Sequence, residues 1–377
     1  MRVCIDSRAA THQGAGIGRF ARGLISALAR IDHETRYVLL DCREGDRAVL
    51  PTAPNFSRAT LPLSDRAMTI LWHRLHLPLP VELFAGPVDV LHSPDFVLPP
   101  SRRARSVVTV HDLSFLLYPE CAEASLVAFL RKAVPESLAR ADLILADSAS
   151  TRQDLERLIG VPAEKVEVVY GGVEERFRPV TDQSRLDEVG RKHDLPSSYI
   201  LTVCTLEPRK NLSALLEAYF LLLEKVDPRP ALLIAGARGW RYNSLLERCS
   251  DPRGRGLVKL LGYVDDADLP ALLSRAELFV YPSLYEGFGL PPLEAMACGI
   301  PVVCSNSSSL PEVVGEAGLM VDPHDIEALA AAMERALTDQ ELRGRMAQAG
   351  LERAQAFTWE NAARALLSAY EKVGACA

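Results

Sequence analysis

Three short segments of this chain combine glycine with charge in ways that suit an anionic, hydroxyl-rich ligand. The first is Gly14-Ala15-Gly16-Ile17-Gly18-Arg19-Phe20. Its glycines let backbone approach a phosphate, and the helix that follows offers free N–H groups and the positive end of its dipole. The second is Thr205-Leu206-Glu207-Pro208-Arg209-Lys210-Asn211, just after an apolar strand-like run. Arg209 brings a planar fork and Lys210 a point charge, a pair suited to a diphosphate at a helix start. A solvated turn with both charges outward is the alternative. The third runs from Tyr281 to Glu294 through Glu286-Gly287-Phe288-Gly289-Leu290-Pro291. Pro291 suits a first helical turn. Glu286 precedes that helix and Glu294 lies within it, so two carboxylates can grip hydroxyls at two ends of a polyol. The N–H groups of Phe288 to Leu290 can face an anion between them.

Other residues admit two readings. His111 follows an apolar strand, so it either points into a cleft or is a buried structural histidine. Gly16-x-Gly18-x-x-Ala21, with Asp41 ending the next strand, satisfies the dinucleotide fingerprint of a nicotinamide-dependent oxidoreductase. Against that reading, residues 7–13 intervene where the fingerprint needs a tight turn. Asp266-Ala267-Asp268 is the sort of acid pair that holds a metal–diphosphate, but it directly precedes a helical run, so one acid reads as an N-cap. With Arg209, Lys210 and helix N-termini to offset phosphate charge, no metal and no cofactor are expected.

The elements that must position these residues form two α/β halves. The first has strands over 2–6, 37–41, 88–92, 106–111, 143–147 and 166–169, with a long loop to Gly18 and a helix through Arg30. The second has strands over 199–204, 231–235, 257–261, 278–282, 301–304 and 318–321, then a helical tail. Short β-branched runs separated by helices imply parallel sheets, which bind ligands beyond the carboxyl ends of their strands. An interdomain cleft is then the default site. Residues 64–77 hold Met68, Leu71, Trp72 and Leu75 at helical spacing. That stripe reads as a core face, with an acceptor or membrane contact as the alternative.

Composition narrows the class. The 377 residues are 48% hydrophobic and 24% charged, which excludes a disordered chain and leaves room for two domains. No apolar run reaches the ~20 residues of a membrane span, and the start does not read as a signal peptide, so the expectation is a soluble cytoplasmic protein. The eight cysteines, at 4, 42, 121, 204, 249, 298, 304 and 376, contain no C-x-x-C pair and read as structural thiols. Net charge is −7, and residues 1–180 carry 22 basic against 22 acidic side chains, which argues against a nucleic-acid partner. The Arg102, Arg103, Arg105 patch reads as a solvated loop, with anionic lipid as the alternative.

Glu286-x7-Glu294 together with Glu207-Pro208-Arg209-Lys210-Asn211 resembles the retaining nucleotide-sugar glycosyltransferases of family four. The resemblance covers nearly the whole chain. Val108-Thr109-Val110-His111-Asp112-Leu113 and Ala146-Asp147-Ser148-Ala149-Ser150-Thr151 are most similar to a mannosyltransferase-B-like branch. It implies the GT-B fold, α/β with two Rossmann-like domains facing across a cleft. Residues 1–178 would form the acceptor-side domain and 179–356 the nucleotide-sugar-binding domain, with 357–377 a helix crossing back. It also implies that Arg209 and Lys210 bind the donor diphosphate and Glu294 the ribose hydroxyls. Glu286 would lie by the transferred sugar with the amides of Gly287, Phe288, Gly289 and Leu290. Gly16 would close over donor and acceptor, His111 would contact the donor sugar, and Gly262, Tyr263 and Val264 would flank the base.

The implied reaction moves a sugar from a nucleotide-diphosphate donor, GDP-mannose first, to a glycan or lipid-linked acceptor in surface polysaccharide assembly. A UDP-sugar donor is the alternative. Configuration would be retained. An inverting enzyme needs a general base, and His111 and Asp112, adjacent on an extended segment, point oppositely and make no dyad. The cytoplasmic membrane face is the implied setting, with peripheral contact. The oxidoreductase, or a non-catalytic nucleotide-sugar-binding subunit, remains the reading from another class.

Overall fold

The computed structural model describes residues 1–375; Cys376 lies outside that range. The chain divides into two compact units. The first comprises Met1–Pro119, Ala124–Gly172 and the segment from Thr358; the second comprises Glu120–Glu123 and Val173–Phe357. The division thus falls at Gly172/Val173, ahead of the 178/179 boundary expected from sequence, and residues 120–123 count with the second unit.

The first unit holds seven parallel strands: β1 (Arg2–Asp6), β2 (Arg36–Cys42), β3 (Phe56–Leu61), β4 (Val90–Ser93), β5 (Arg105–Val110), β6 (Leu143–Ala146) and β7 (Val166–Val168). Their order is β3-β2-β1-β4-β5-β6-β7. The second unit holds six: β8 (Tyr199–Val203), β9 (Ala231–Ala235), β10 (Val258–Gly262), β11 (Leu278–Tyr281), β12 (Val302–Ser305) and β13 (Leu319–Val321), in the order β10-β9-β8-β11-β12-β13. Helices cover both faces, so β9, β11 and β12 are buried along their whole length and read as unbroken apolar runs. Strand order reverses between β1 and β4 and again between β8 and β11. Those are the switch points where such sheets take ligands.

Three expectations need correction. First, β3 went unrecognised: Ser57, Arg58 and Thr60 face outward on this edge strand and leave little apolar signal. Second, the long loop after β1 contains a helix, Arg8–His12. The Arg8 guanidinium folds back onto Asp6 at 2.6 Å and reaches Asp65 at 2.9 Å, which anchors that turn. The following helix, Gly16–Ile31, starts two residues before Gly18. Third, the 64–77 stripe is only partly core. Met68 and Trp72 are buried, but Leu75 falls beyond the wide helical turn Ile70–Arg74 and is 60% exposed.

The helix Trp359–Gly374 packs in the first unit against Gly16–Ile31. The Trp359 ring lies 2.3 Å from where a Cβ on Gly23 would stand and meets Phe20 edge-on at 5.6 Å. Further along, Tyr370 sits 2.6 Å from Nδ1 of His92, whose Nε2 is 2.9 Å from Thr109 Oγ1. Burial pushes the His92 imidazole down to about 3, so the ring is neutral and this helix is latched by a buried, uncharged network. Cys4, Cys42, Cys121, Cys204, Cys298 and Cys304 are buried, and burial lifts the Cys204 and Cys304 thiols to about 12, out of reach of thiolate chemistry. Among the described residues no helix is long and apolar enough to cross a membrane.

Candidate active site

In the second unit, the segments leaving the neighbouring strands β8 and β11 converge. After β8 the chain makes the short turn Pro208–Lys210, which ends at Asn211 in the left-handed region (φ 56°). Asn tolerates that conformation, and here its Nδ2 also donates to Pro323 O at 2.7 Å. After β11 the loop 282–289 runs back along this turn. Leu284 N–H donates to Arg209 O at 2.9 Å, and Arg209 Nη1 to Tyr285 O at 2.6 Å. The two loops are therefore cross-tied by one backbone bond and one bond from the Arg209 side chain.

Four charged groups meet there. Glu286 accepts from Arg209 Nη1 at 3.1 Å through Oε2 and from Lys210 Nζ at 2.6 Å through Oε1. Glu207 accepts from Arg209 Nη2 at 2.7 Å. Ser283 Oγ donates to Glu286 Oε1 at 2.6 Å, and Lys210 Nζ lies 3.1 Å from the Tyr281 hydroxyl. Burial alone would raise the Glu286 carboxyl, but the Lys210 and Arg209 charges outweigh it and hold the group down at about 2. Glu286 is thus ionised throughout the physiological range, and two cations face two carboxylates.

A serine run from the end of β12 fixes this loop. Ser307 Oγ donates to Leu284 O at 2.9 Å, Ser309 Oγ to Phe288 O at 2.7 Å, and Ser308 Oγ accepts from Glu286 N–H at 2.8 Å. Gly289 has φ 111° and opens the helix Leu290–Ala297, so the amides of residues 288–290 lie at that helix start, with Glu294 buried inside the helix. At the end of β10, Gly262 has φ 72°; Tyr263 beside it is 66% exposed, while Val264 turns into the core.

In the first unit, His111 and Asp147 follow the paired residues Val110 and Ala146 at the ends of β5 and β6. That register sets them side by side, with Nδ1 2.6 Å from Asp147 Oδ2. Nε2 lies 2.9 Å from Pro94 O. A carbonyl can only accept, so Nε2 carries a proton, and a second proton is shared between Nδ1 and Asp147, whose own carboxyl is raised by burial. Although burial lowers the His111 pKa, Asp147 and Asp95 lift it to about 9. His111 thus has an acid partner, which its neighbour Asp112 could not be. With both nitrogens committed, contact with a donor sugar would require exchange of the Pro94 carbonyl. In the glycine segment, a Cβ on Gly18 would stand 1.8 Å from Gln13 O, whereas Gly14 and Gly16 have nothing within 4 Å among the described residues. Gly18 is there for packing, and Gly16 leaves open backbone.

The rival readings lose their residues. Asp41 is buried and accepts from Thr11 Oγ1 at 2.9 Å and from Cys42 N–H at 2.7 Å, so it serves the Arg8–His12 helix rather than a ribose. Asp266 pairs with Arg176 at 3.1 Å. Asp268 holds Arg185 at 2.6 Å, Lys192 at 2.7 Å and His193 at 2.9 Å. It occupies the expected N-cap position, yet among the described residues its side chain caps no amide. Asp268 is thus spent on three basic side chains and Asp266 is paired with a fourth, so the two make a poor metal seat. Sequence reasoning missed Glu207 as a site residue, although it stands in the same string as Arg209, and it missed the serines, whose only signal was their clustering.

Known proteins fix the family. Residues 14–177 match the model for Glycosyltransferase Family 4, and residues 187–353 match that for Glycosyl transferases group 1. The chain is 40% identical over 282 residues to the O-antigen chain mannosyltransferase B of Escherichia coli, covering 75% of this chain and 74% of that protein. It belongs to glycosyltransferase family 4. A second relative, the serotype-specific mannosyltransferase WbdA of Escherichia coli, is 34% identical over 275 residues, covering 71% of this chain and 34% of WbdA. Among solved structures, the sucrose-phosphate synthase of Thermosynechococcus elongatus matches over the full length of both chains with a TM-score of 0.78 at 22% identity, a likeness of fold. This family 4 glycosyltransferase thus has the two parallel-sheet α/β domains of the GT-B fold, and the cluster around Glu286 lies at the switch point of the second.

Proposed function

We propose that the enzyme transfers mannose, with retention of configuration, from GDP-mannose to a hydroxyl of a glycan or lipid-linked acceptor in surface polysaccharide assembly. The observation that carries the reading is the pair Arg209 and Lys210, held by cross-tied loops at the β8/β11 switch point against Glu286. Two cations there can stabilise a departing diphosphate, the charge that develops as the sugar leaves. The mannosyl assignment is supported by the mannosyltransferases among its relatives.

In this reading the acceptor oxygen attacks on the face from which the diphosphate departs. The acceptor proton passes to the leaving phosphate oxygen, so the donor supplies its own base. Glu294 takes the ribose hydroxyls, Glu286 takes the sugar hydroxyls, and the amides of Gly287 to Leu290 face the phosphate. Gly262, Tyr263 and Val264 flank the base. The family pattern assigns Gly16 and His111, in the first unit, to the sugar end of the donor. No step is routed through a metal. The first unit would serve the acceptor, and its Arg102, Arg103 and Leu83 side chains, all exposed, suit peripheral contact with anionic lipid.

Thermal stabilisation by GDP, UDP, ADP, dTDP and their sugars, with EDTA present, tests the donor. A ligand at 100 times its dissociation constant adds about 2.7 kcal/mol. Stabilisation by GDP and GDP-mannose, followed by mannose transfer, is the expected result. A response to UDP alone would replace GDP-mannose by a UDP-sugar, and a response to none would remove the nucleotide-sugar reading.

A further inference from the structure

The two cations that suit a diphosphate are already engaged. Arg209 places one terminal nitrogen on Glu207 and the other on Glu286, while Lys210 places its ammonium on Glu286. The formal charges of these four groups sum to zero, and the cluster is nearly enclosed: Glu207, Lys210 and Glu286 are each more than nine-tenths buried. A donor diphosphate brings two negative charges. Added beside an ionised Glu286 in this low-dielectric setting, it would meet like charge at close range and cations already paired with carboxylates.

The geometry says which acid can yield. The Glu286 carboxylate bridges Arg209 and Lys210, so its departure releases both cations at once, whereas Glu207 makes one short contact, to Arg209. The Glu286 backbone is held by Ser308 and Ser309, so the exchange needs only its side chain to turn, while Glu207 immediately precedes the turn Pro208–Lys210, stiffened by its proline. Glu207 holds Arg209 by the nitrogen that Glu286 does not use.

We infer that Glu286 is the resident occupant of the diphosphate seat. The donor's phosphate oxygens replace the Glu286 carboxylate on Arg209 and Lys210, the freed carboxylate turns to the sugar hydroxyls, and Glu207 stays in place as the positioning residue that keeps Arg209 aimed. Seating the donor and placing the acid at the sugar then become one event. No bond to carbon or phosphorus changes; one set of hydrogen-bonded ion pairs replaces another. The inference rests on the reading that Arg209 and Lys210 take the diphosphate, and it adds that Glu286 opposes binding until it is displaced.

Inorganic pyrophosphate tests this without reference to base or sugar. Its affinity would be measured calorimetrically, in EDTA, for the wild-type chain and for Glu286→Gln, Ser283→Ala and Glu207→Gln. Glu286→Gln should bind pyrophosphate about tenfold more tightly or better, although its turnover falls, because two buried cations are left without their bridging anion. Ser283→Ala loosens Glu286 by one hydrogen bond and should give a smaller gain of about two- to fivefold. Glu207→Gln removes the same charge but leaves Glu286 in the seat, so any gain should be clearly smaller than that of Glu286→Gln, and an equal gain overturns the exchange. Equal or weaker binding by a folded Glu286→Gln overturns the exchange, as does the absence of pyrophosphate binding in every form. If Glu286→Gln fails to fold, Ser283→Ala decides by the same criterion. Wild-type turnover of the nucleotide-sugar panel is read separately, so a failed donor assignment stays distinct from a failed exchange.

Discussion

The His111–Asp147 pair makes a pH-dependent demand on the first unit. Nδ1–H meets the Asp147 carboxylate at 2.6 Å and Nε2–H meets the Pro94 carbonyl at 2.9 Å. Asp95, held by Gln13 at 2.8 Å, adds a second nearby acid, and neutral His92 adds no charge of its own. A rise of the His111 pKa from about 6.5 to about 9, at about 1.4 kcal/mol per pH unit, is worth about 3 kcal/mol at most. Because the folded value lies above the unfolded one, this stability is complete below pH 6.5 and is lost as pH rises through 9. Asp147→Asn should therefore cost less than about 3 kcal/mol at pH 6, because Asp95 retains part of the effect, and progressively less toward pH 10. Urea unfolding followed by tryptophan fluorescence measures it. In a Trp240→Phe background the remaining indoles, Trp72 and Trp359, are both buried in the first unit, so the signal reports that unit. A cost of Asp147→Asn that stays constant from pH 6 to pH 10 would refute the second proton and leave a neutral ring.

Three further outcomes are expected. Arg209→Ala should lower donor turnover by roughly 10²–10³ and, by stripping buried Glu207 and Glu286 of a shared cation, also lower the melting temperature; full activity with the natural acceptor would remove Arg209 from the diphosphate assignment. Gly18→Ala drives a Cβ into the Gln13 carbonyl, backbone that cannot rotate aside, and should destabilise the first unit by more than about 3 kcal/mol in urea unfolding. Gly16→Ala meets nothing and should fold normally while raising the donor KM; equal stability losses at the two glycines would contradict the division between packing and open backbone. Tyr370→Phe removes the hydroxyl from buried His92 and should cost about 1–3 kcal/mol in the same assay, and no loss would mean that the last helix is held by apolar packing alone.

The α/β class and twelve of the thirteen strands were legible because buried parallel strands are unbroken apolar runs, and β3 was hidden because an edge strand need not be one. The anionic-ligand motifs were legible for a related reason. Glycine, arginine and glutamate at strand ends fit no core, so their types alone raise the question of a ligand. Pairing was not legible. Nothing in the strings around His111 and Asp147 says that β5 and β6 are neighbours in the register Val110↔Ala146, and the partner within reach of sequence reasoning, Asp112, is the wrong one. Distance along the chain has the same effect at Glu286, which meets Arg209 and Lys210 across 77 and 76 residues.

The order of strands resolves both cases by one rule. Parallel neighbours deliver the residues after them to the same edge of the sheet, so β5 and β6 bring His to Asp, and β8 and β11 bring Arg and Lys to Glu. In the first pair the charges satisfy each other and both ring nitrogens are used, so a sugar reaches His111 only by replacing the Pro94 carbonyl. In the second, one carboxylate is shared by two cations, so turning that single side chain frees both, which suits exchange. The same ion-pair chemistry therefore resists exchange at one strand edge and permits it at the other, and the difference lies in how many cations depend on a single acid.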